Sequence, residues 1–261
     1  MIMDNSLIHN TAIVSEEAKL GKGVKVGPFA IIDGGTEIGD NTEIGPRAHI
    51  ISGAVIGSGN SIGEGTIVSG APQDLKYKGE KTTVKIGNNN VIREYVVIHR
   101  AASAAGATSI GDNCFILGNA HVAHDCVIGS NVVIVNYAGL SGHVVVEDHA
   151  FVSGLTAVHQ GVRIGAYSMV GGGIRLSQDV APYMTVSGQP ARFIGVNKTG
   201  LKRNGFSKEV IGRIEDAASI FFRQNLMAKE AIEKIQASIP ACPEIEHFIG
   251  FVRSSKRGML R

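Results

Sequence analysis

Residues 20–44 read Leu20-Gly-Lys-Gly-Val-Lys-Val26-Gly-Pro-Phe-Ala-Ile-Ile32-Asp-Gly-Gly-Thr-Glu-Ile38-Gly-Asp-Asn-Thr-Glu-Ile44, and every sixth residue is Leu, Val or Ile. Extended both ways, the same phase runs from Ile8 to Leu176 over 29 positions, of which only Asp74, Glu80 and Ala104 break the rule. The repeat resumes in step after each interruption. A period of six matches neither a helix at 3.6 residues nor a flat strand at 2.0. It is the period of a parallel β-helix, whose short strands meet at corners and wrap into stacked coils.

The companion positions agree with this reading. Four residues after each apolar residue the side chain is usually small, as at Ala12, Ala18, Ala30, Thr36, Thr42, Ala48, Cys114, Ala120, Cys126 and Ala138. The residue just after it is often glycine, as at Gly21, Gly27, Gly39, Gly45 and Gly63, which suggests a corner needing positive φ. Three hexads make one triangular coil of 18 residues. About nine coils at ~4.8 Å each give a rod of roughly 45 Å. The expected fold is therefore mainly β, a β-helix domain over residues 1–190 with loops near 69–85 and 101–107. Each column residue buries ~1.5–3 kcal/mol of apolar surface, so a charge in the column is expected to unfold a coil.

After Leu176 the hexads stop. Residues 181–192 read as an extended exit, with Pro182 and Pro190 blocking helix. Ser207 is placed to cap a helix to about Gln224, a second runs from about Ala228 to Ile239, and a third opens with Pro243 near its first position. Residues 191–261 are thus expected to form a small helical domain.

Composition narrows the function. Tryptophan is absent, aromatics make up 5%, and there are 34 glycines in 261 residues, which suits a thin prism. Met1 to Asn5 has no basic segment ahead of an apolar run, and no 18 apolar residues occur together. Neither secretion nor a membrane span is expected, and the reading is cytoplasmic. Three cysteines do not make a disulfide framework. Residues 1–191 carry 12 Lys/Arg against 16 Asp/Glu, whereas residues 192–261 carry 13 against 7. The basic end suits an acidic partner; a nucleic-acid partner is not expected.

The chemistry gathers late in the prism. His121, His124, His143 and His159 fall close together in a chain with 9 histidines. Adding 18 to His124 gives Gly142 and then Gln160; Asp125 leads to His143, and Ala123 to Ser141 and His159. Neighbouring coils should bring these residues onto one corner. A histidine beside a carboxylate suits general base work, and a glycine one coil away leaves an N–H bare enough to meet an oxyanion. Three imidazoles could instead hold zinc, but they lack a recognised ligand spacing, and no metal is expected. Gln73, Asp74 and Lys76 stand on the first loop, where a rigid scaffold tends to carry function.

Gln73-Asp-Leu-Lys-Tyr, Ile98-His-Arg, Asn119-Ala-His-Val-Ala-His-Asp-Cys, Leu140-Ser-Gly-His, Val158-His-Gln, Gly195-Val-Asn and Gly200-Leu-Lys-Arg occur in the order found in the UDP-N-acetylglucosamine 3-O-acyltransferases. The chain resembles that family over essentially its whole length, within the hexapeptide-repeat acyltransferase superfamily. The resemblance implies a left-handed β-helix and transfer of an (R)-3-hydroxyacyl group from acyl carrier protein to the 3-hydroxyl of UDP-N-acetylglucosamine, the first step of lipid A biosynthesis. By the same match His124 is the general base, Asp125 its support and Gly142 the oxyanion donor. Gln73, Asp74, Lys76, His121, His143 and Gln160 would hold the acceptor, His159 would shape the site, and Asn197 and Arg203 would contact the nucleotide. Gly172 falls where the family sets acyl-chain length. The family forms homotrimers with sites between subunits and uses no cofactor, the donor being the phosphopantetheine thioester of acyl carrier protein. Departures are Gly161 in place of a usual aromatic, with Pro190, Thr199 and Asn204 at positions where relatives carry His, an acidic residue and Arg.

Four rivals remain open at this point. The sister UDP-3-O-acylglucosamine N-acyltransferase carries an extra N-terminal domain, whereas here the hexads begin at Ile8. An acetyl-CoA-dependent hexapeptide acetyltransferase would refuse the carrier protein. A γ-type carbonic anhydrase would need zinc. An ice-binding β-helix would show flat Thr ladders and no gathered histidines.

Overall fold

The computed structural model describes residues 7–261, so the first six residues of the expected prism lie outside the described residues. From Ile13 the chain forms a left-handed parallel β-helix of short strands. The strands stack into three sheets of 9, 8 and 10 members, which are the three faces of the prism. The first face starts with Ile13–Val14, the second with Lys19–Leu20 and the third with Lys25–Val26. Partners are 18 residues apart, as in Val122↔Leu140 and Ile134↔Val152. The column residues fill the interior, with Ile32, Ile62, Ile92, Ile134 and Ile164 each no more than 1% exposed. Ile8 is the outlier at 37% exposed, because it stands at the open end of the stack.

The corner glycines have a different job from the one the sequence suggests. The left-handed residue sits three positions after the column residue, at Asn41, Asn89, Asn113 and Asn131, with φ of 55–58°. Asparagine tolerates this region better than most residues. Gly27, Gly45 and Gly63 are not left-handed; a Cβ on any of them would lie within 2.9 Å of the next coil's backbone. They permit coils to stack closely at the point where the chain turns.

The first excursion is shorter than expected, and the second is shifted back by one residue. Strands Ile67–Gly70 and Thr83–Ile86 bound the first, leaving residues 71–82, because Val84 and Ile86 already fill the core. The second ends at Gly106, since Ala107 opens the strand Ala107–Ile110. Register passes through both, with Ile56↔Ile86 and Ile86↔Ile110 paired.

The tail differs from the expectation in two respects, a strand ahead of the helices and a short helix, Lys198–Arg203, ahead of the three expected ones. Arg192–Val196 is a strand, running antiparallel to Met184–Ser187 on the third face, so the helical part begins at Lys198. Helices α1 (Lys198–Arg203), α2 (Lys208–Arg223), α3 (Ala228–Ser238) and α4 (Pro243–Ser254) follow. Ser207 caps α2 by accepting from the Val210 N–H, and Pro243 opens α4. Their apolar faces close on Phe221 and Phe248. A polar seam joins α4 to the prism: His247 hydrogen-bonds Tyr183 Oη and Glu147, each at 2.9 Å, and Arg163 donates to Ser254 at 2.8 Å.

Candidate active site

The strands His121–Val122 and Val127–Ile128 lie on the first and second faces, and the corner between them carries Ala123, His124 and Asp125. Asp125 takes the left-handed position, with φ of 59°. That turn swings its carboxylate back beside the preceding imidazole. His124 Nδ1–H donates to Asp125 Oδ2 at 2.8 Å, and the pair is 8% and 10% side-chain exposed. With Nδ1 carrying the proton, Nε2 is left with the lone pair.

One coil on, Gly142 lies beneath the His124 ring. A Cβ there would be 2.5 Å from His124 Cε1 and 2.6 Å from Nε2, so any larger residue would displace the imidazole. Among the described residues the Gly142 N–H has no hydrogen-bond partner, whereas its neighbours Ser141 and His143 donate to Val158 and His124 carbonyls. A basic nitrogen and a bare backbone N–H thus share one corner, which is the equipment of acyl transfer.

Asp125 is held from behind by the short second loop. Its Oδ2 accepts from the Ala102 N–H at 2.9 Å and its Oδ1 from the Ser103 N–H at 3.4 Å. Its own N–H donates to Thr108 Oγ1 at 2.8 Å. Burial pushes the carboxyl up, but the Ala102 N–H, the His124 ring and Ser103 outweigh it and hold Asp125 below the usual carboxylate range.

Around this pair stand His143, His121 and His99. His143, on the same corner, meets His124 edge to face at 5.3 Å and brings Nε2 to 3.9 Å from Asp125. The donor atoms of His124, Asp125 and His143 all lie within 4.8 Å of one another, a set of the kind a divalent cation can use. His121 pairs with His99, whose Nδ1 is 3.4 Å from His121 Nε2. His99, Gln73 and His121 line one depression of 270 Å³ with Tyr95 and Asn119. Asp74 and Lys76 stand on the same loop, tied by the Lys76 N–H to Asp74 Oδ1 at 2.9 Å. Arg100 fastens the base of that loop, donating to the Ser69 carbonyl at 2.8 Å and to Tyr77 Oη at 3.2 Å. Gln160 is exposed one coil beyond Gly142. His159 lines a cavity of 630 Å³ that starts at Ser141 and continues past Ala157 and Arg175 to Gln189 and Leu260.

His99 offers a direct physical test of the pair. Burial first, then repulsion from His121 and His124 when they carry a proton and from Arg100, pulls its pKa down to about 4. An unfolded imidazole titrates near ~6.5, so between those values the unfolded chain binds more protons. Stability therefore falls as pH drops from about 6.5 toward 4. His121, lowered by burial and then by His124, acts in the same sense. Melting midpoints measured across that window should fall toward acid, and the fall should be shallower in His99→Gln.

Gly172, Asn197 and Arg203 stand elsewhere on the chain. Gly172 stands on the corner between the third and first faces, stacked on Gly154. Asn197 caps α1, accepting from the Gly200 N–H at 3.1 Å and donating to the Tyr167 carbonyl at 2.8 Å, on the corner between the second and third faces. Arg203 closes α1 and is exposed. Sequence reasoning passed over His99, Ala102, Ser103 and Thr108 as site residues. Across the second loop partners are 24 rather than 18 residues apart, as in Val97↔His121, and applying that step would have set His99 beside Ala123.

Two of the cysteines are sealed in the prism. Cys114 and Cys126 are buried, and burial pushes the Cys126 thiol up to about 12, which keeps it from being a nucleophile.

Comparison with known proteins adds the following. Residues 179–260 match the family model described as UDP N-acetylglucosamine O-acyltransferase, domain 2. Residues 35–70 and 107–142 match the bacterial transferase hexapeptide model. An acyl-[acyl-carrier-protein]–UDP-N-acetylglucosamine O-acyltransferase of Aquifex aeolicus is 55% identical over 97% of this chain and 98% of its own length. One of Thermodesulfovibrio yellowstonii is 49% identical, over 97% and 99%. The crystal structure of a UDP-N-acetylglucosamine acyltransferase from Bacteroides fragilis superposes with a TM-score of 0.95 at 40% identity, over 97% of this chain and 99% of that one.

Proposed function

This chain belongs to the acyl-carrier-protein-dependent UDP-N-acetylglucosamine O-acyltransferase family, and from that premise we propose that His124 and Asp125 are the base of the transfer and Gly142 its oxyanion donor. The enzyme is an acyltransferase, moving an acyl group from acyl carrier protein to an oxygen of UDP-N-acetylglucosamine. The observation that carries the assignment of roles is the 2.8 Å His124–Asp125 hydrogen bond set over the unpartnered Gly142 N–H. In this reading the sugar 3-hydroxyl attacks the thioester carbonyl of an (R)-3-hydroxyacyl carrier protein while His124 Nε2 takes its proton. Negative charge collecting on the carbonyl oxygen meets the Gly142 N–H. Asp125 stabilises the imidazolium, which then returns the proton to the departing phosphopantetheine sulfur. No cofactor enters, and the product starts lipid A biosynthesis in the cytoplasm.

Gln73, Asp74, Lys76, His121, His143 and Gln160 then surround the acceptor, with His159 shaping the neighbouring cavity. Asn197 has both side-chain groups occupied in capping α1 and holding it to the prism, so its part in this reading is to place Arg203. The guanidinium fork of Arg203 suits a phosphate, and Gly172 leaves room for a longer acyl chain. Because these residues and the dyad occupy three different corners, completing a site calls for more than one subunit, which supports a homotrimer with sites between its members. The corner between the third and first faces is also apolar on the outside, with Phe29 59%, Tyr95 52%, Tyr137 59% and Leu155 68% exposed. Such a ladder marks a surface that another chain covers.

Complementation tests the shared site. His124→Ala and Arg203→Ala are each expected to be severely impaired, while trimers assembled from a mixture of the two should regain activity at about a quarter of their sites by random mixing. A mixture no more active than either variant would place both residues in the same site of one chain.

A further inference from the structure

We propose that the short second loop, Arg100 to Gly106, is a positioning element for the reaction, its Ala102 and Ser103 N–H groups forming a backbone cradle that fixes the Asp125 carboxylate against His124. The proposal rests on His124 and Asp125 acting as the base. Its geometry is specific. Asp125 Oδ2 receives two hydrogen bonds, from His124 Nδ1 at 2.8 Å and from the Ala102 N–H at 2.9 Å, while Oδ1 takes the Ser103 N–H at 3.4 Å. Thr108 Oγ1 holds the Asp125 N–H at 2.8 Å. The carboxylate is thereby held at both oxygens and at its own backbone, and it cannot rotate away from the imidazole without breaking several hydrogen bonds.

The composition of the loop follows from this task. Ala101-Ala-Ser-Ala-Ala-Gly-Ala107 contains no side chain larger than a hydroxymethyl group. The turn closes through the Gly106 N–H to the Ser103 carbonyl at 2.8 Å, with Ala105 left-handed at φ 58°. A Cβ on Gly106 would stand 2.7 Å from the Ser103 carbonyl oxygen and 3.3 Å from Asp125 Oδ1, so a larger residue would open the turn and crowd the carboxylate. Ala101 is fully buried and anchors the loop's first end. On the corner between the second and third faces a backbone N–H is served by a side chain from the next coil, as Asp112 serves Asn88 and Asp148 serves Ser130. At Asp125 the traffic is reversed, because an inserted segment supplies donors to the side chain. Two N–H groups aimed at a carboxylate favour its charged form, consistent with Asp125 being held low. A charged Asp125 is what keeps the His124 proton on Nδ1 and the lone pair on Nε2.

The experiment is a double-mutant cycle between the loop backbone and the carboxylate. Ala102→Pro removes the N–H; Ala102→Ser keeps it. In the full-length enzyme Ala102→Pro is expected to lower kcat at least tenfold. The KM for UDP-N-acetylglucosamine should change by less than threefold, and Ala102→Ser should retain at least half the rate. In an Asp125→Asn background the same Pro substitution should cost less than a further twofold, because the cradle then has no carboxylate to hold. Equal losses in both backgrounds, or a Pro variant as fast as the Ser variant, would overturn the proposal. Should Ala102→Pro fail to melt cooperatively, Ser103→Pro is put through the same cycle, with a smaller loss expected from its longer bond. Full activity in Asp125→Asn alone would instead remove the base assignment on which the proposal stands.

Discussion

His124→Ala is expected to lose about three orders of magnitude in kcat while keeping its fold. Proton abstraction by a positioned base contributes roughly 10²–10⁴ in rate, and the hydroxyl of a sugar is a poor nucleophile without it. The substitution leaves the Gly142 N–H in place, so residual turnover from oxyanion stabilisation and substrate positioning should persist above background. Folding should survive because His124 lies outside the apolar column and Asp125 keeps the Ala102, Ser103 and Thr108 hydrogen bonds. The cost of the lost hydrogen bond is about 1–2 kcal/mol, a drop of a few degrees in melting midpoint. Steady-state rates and a thermal melt on the same preparation check both halves. A variant within tenfold of the wild-type rate would show that another group takes the proton.

Ile134→Asp should abolish the fold itself. Ile134 is fully buried in the middle of the stack, pairing with Ile116 above and Val152 below. A carboxylate there forfeits ~2–3 kcal/mol of apolar burial and either sits uncompensated among Ile and Val or drags water into the prism, at several kcal/mol more. Against a total of about 5–15 kcal/mol that leaves no stable protein. Ile134→Val, which removes one methylene, should cost only about 0.5–1.5 kcal/mol. The adjacent Val133 points outward and is only half-buried, so Val133→Asp should fold. Circular dichroism and melting of the three variants would separate them; a soluble, cooperatively melting Ile134→Asp would contradict the inward assignment of the column.

The prism was legible because its period is written in one residue class. A branched aliphatic at every sixth position can face inward on all coils only if the coils are 18 residues long, and from that step the stacking of His124 on Gly142 and Asp125 on His143 followed. The three longer helices were equally plain, since Ser207 and Pro243 mark two of their starts in chemistry that local structure obeys, whereas the short Lys198–Arg203 helix went unread. What escaped notice depended on events between coils. The role of Gly27 or Gly63 is set by the backbone of the next coil, and no local pattern reports that distance. The strand Arg192–Val196 exists because Met184–Ser187 offers an unpaired edge, and its sequence does not alternate. The hold on Asp125 comes from backbone N–H groups of a loop made of alanine, serine and glycine, which carry no side-chain signal. Gly172 and Arg203 were found only through family likeness, because the prism sets them on other corners than the dyad.

The measurement that tests the central claim most directly is a product assay by mass spectrometry. Purified enzyme would be given UDP-N-acetylglucosamine and a series of (R)-3-hydroxyacyl carrier proteins, beside acetyl-CoA and a chelator-treated sample. The account predicts one acylated sugar nucleotide, modified on the 3-oxygen, formed from carrier-protein thioester, indifferent to chelation and absent with His124→Ala. Acyl transfer from acetyl-CoA alone, or a product that vanishes when metal is stripped and returns with zinc, would contradict it.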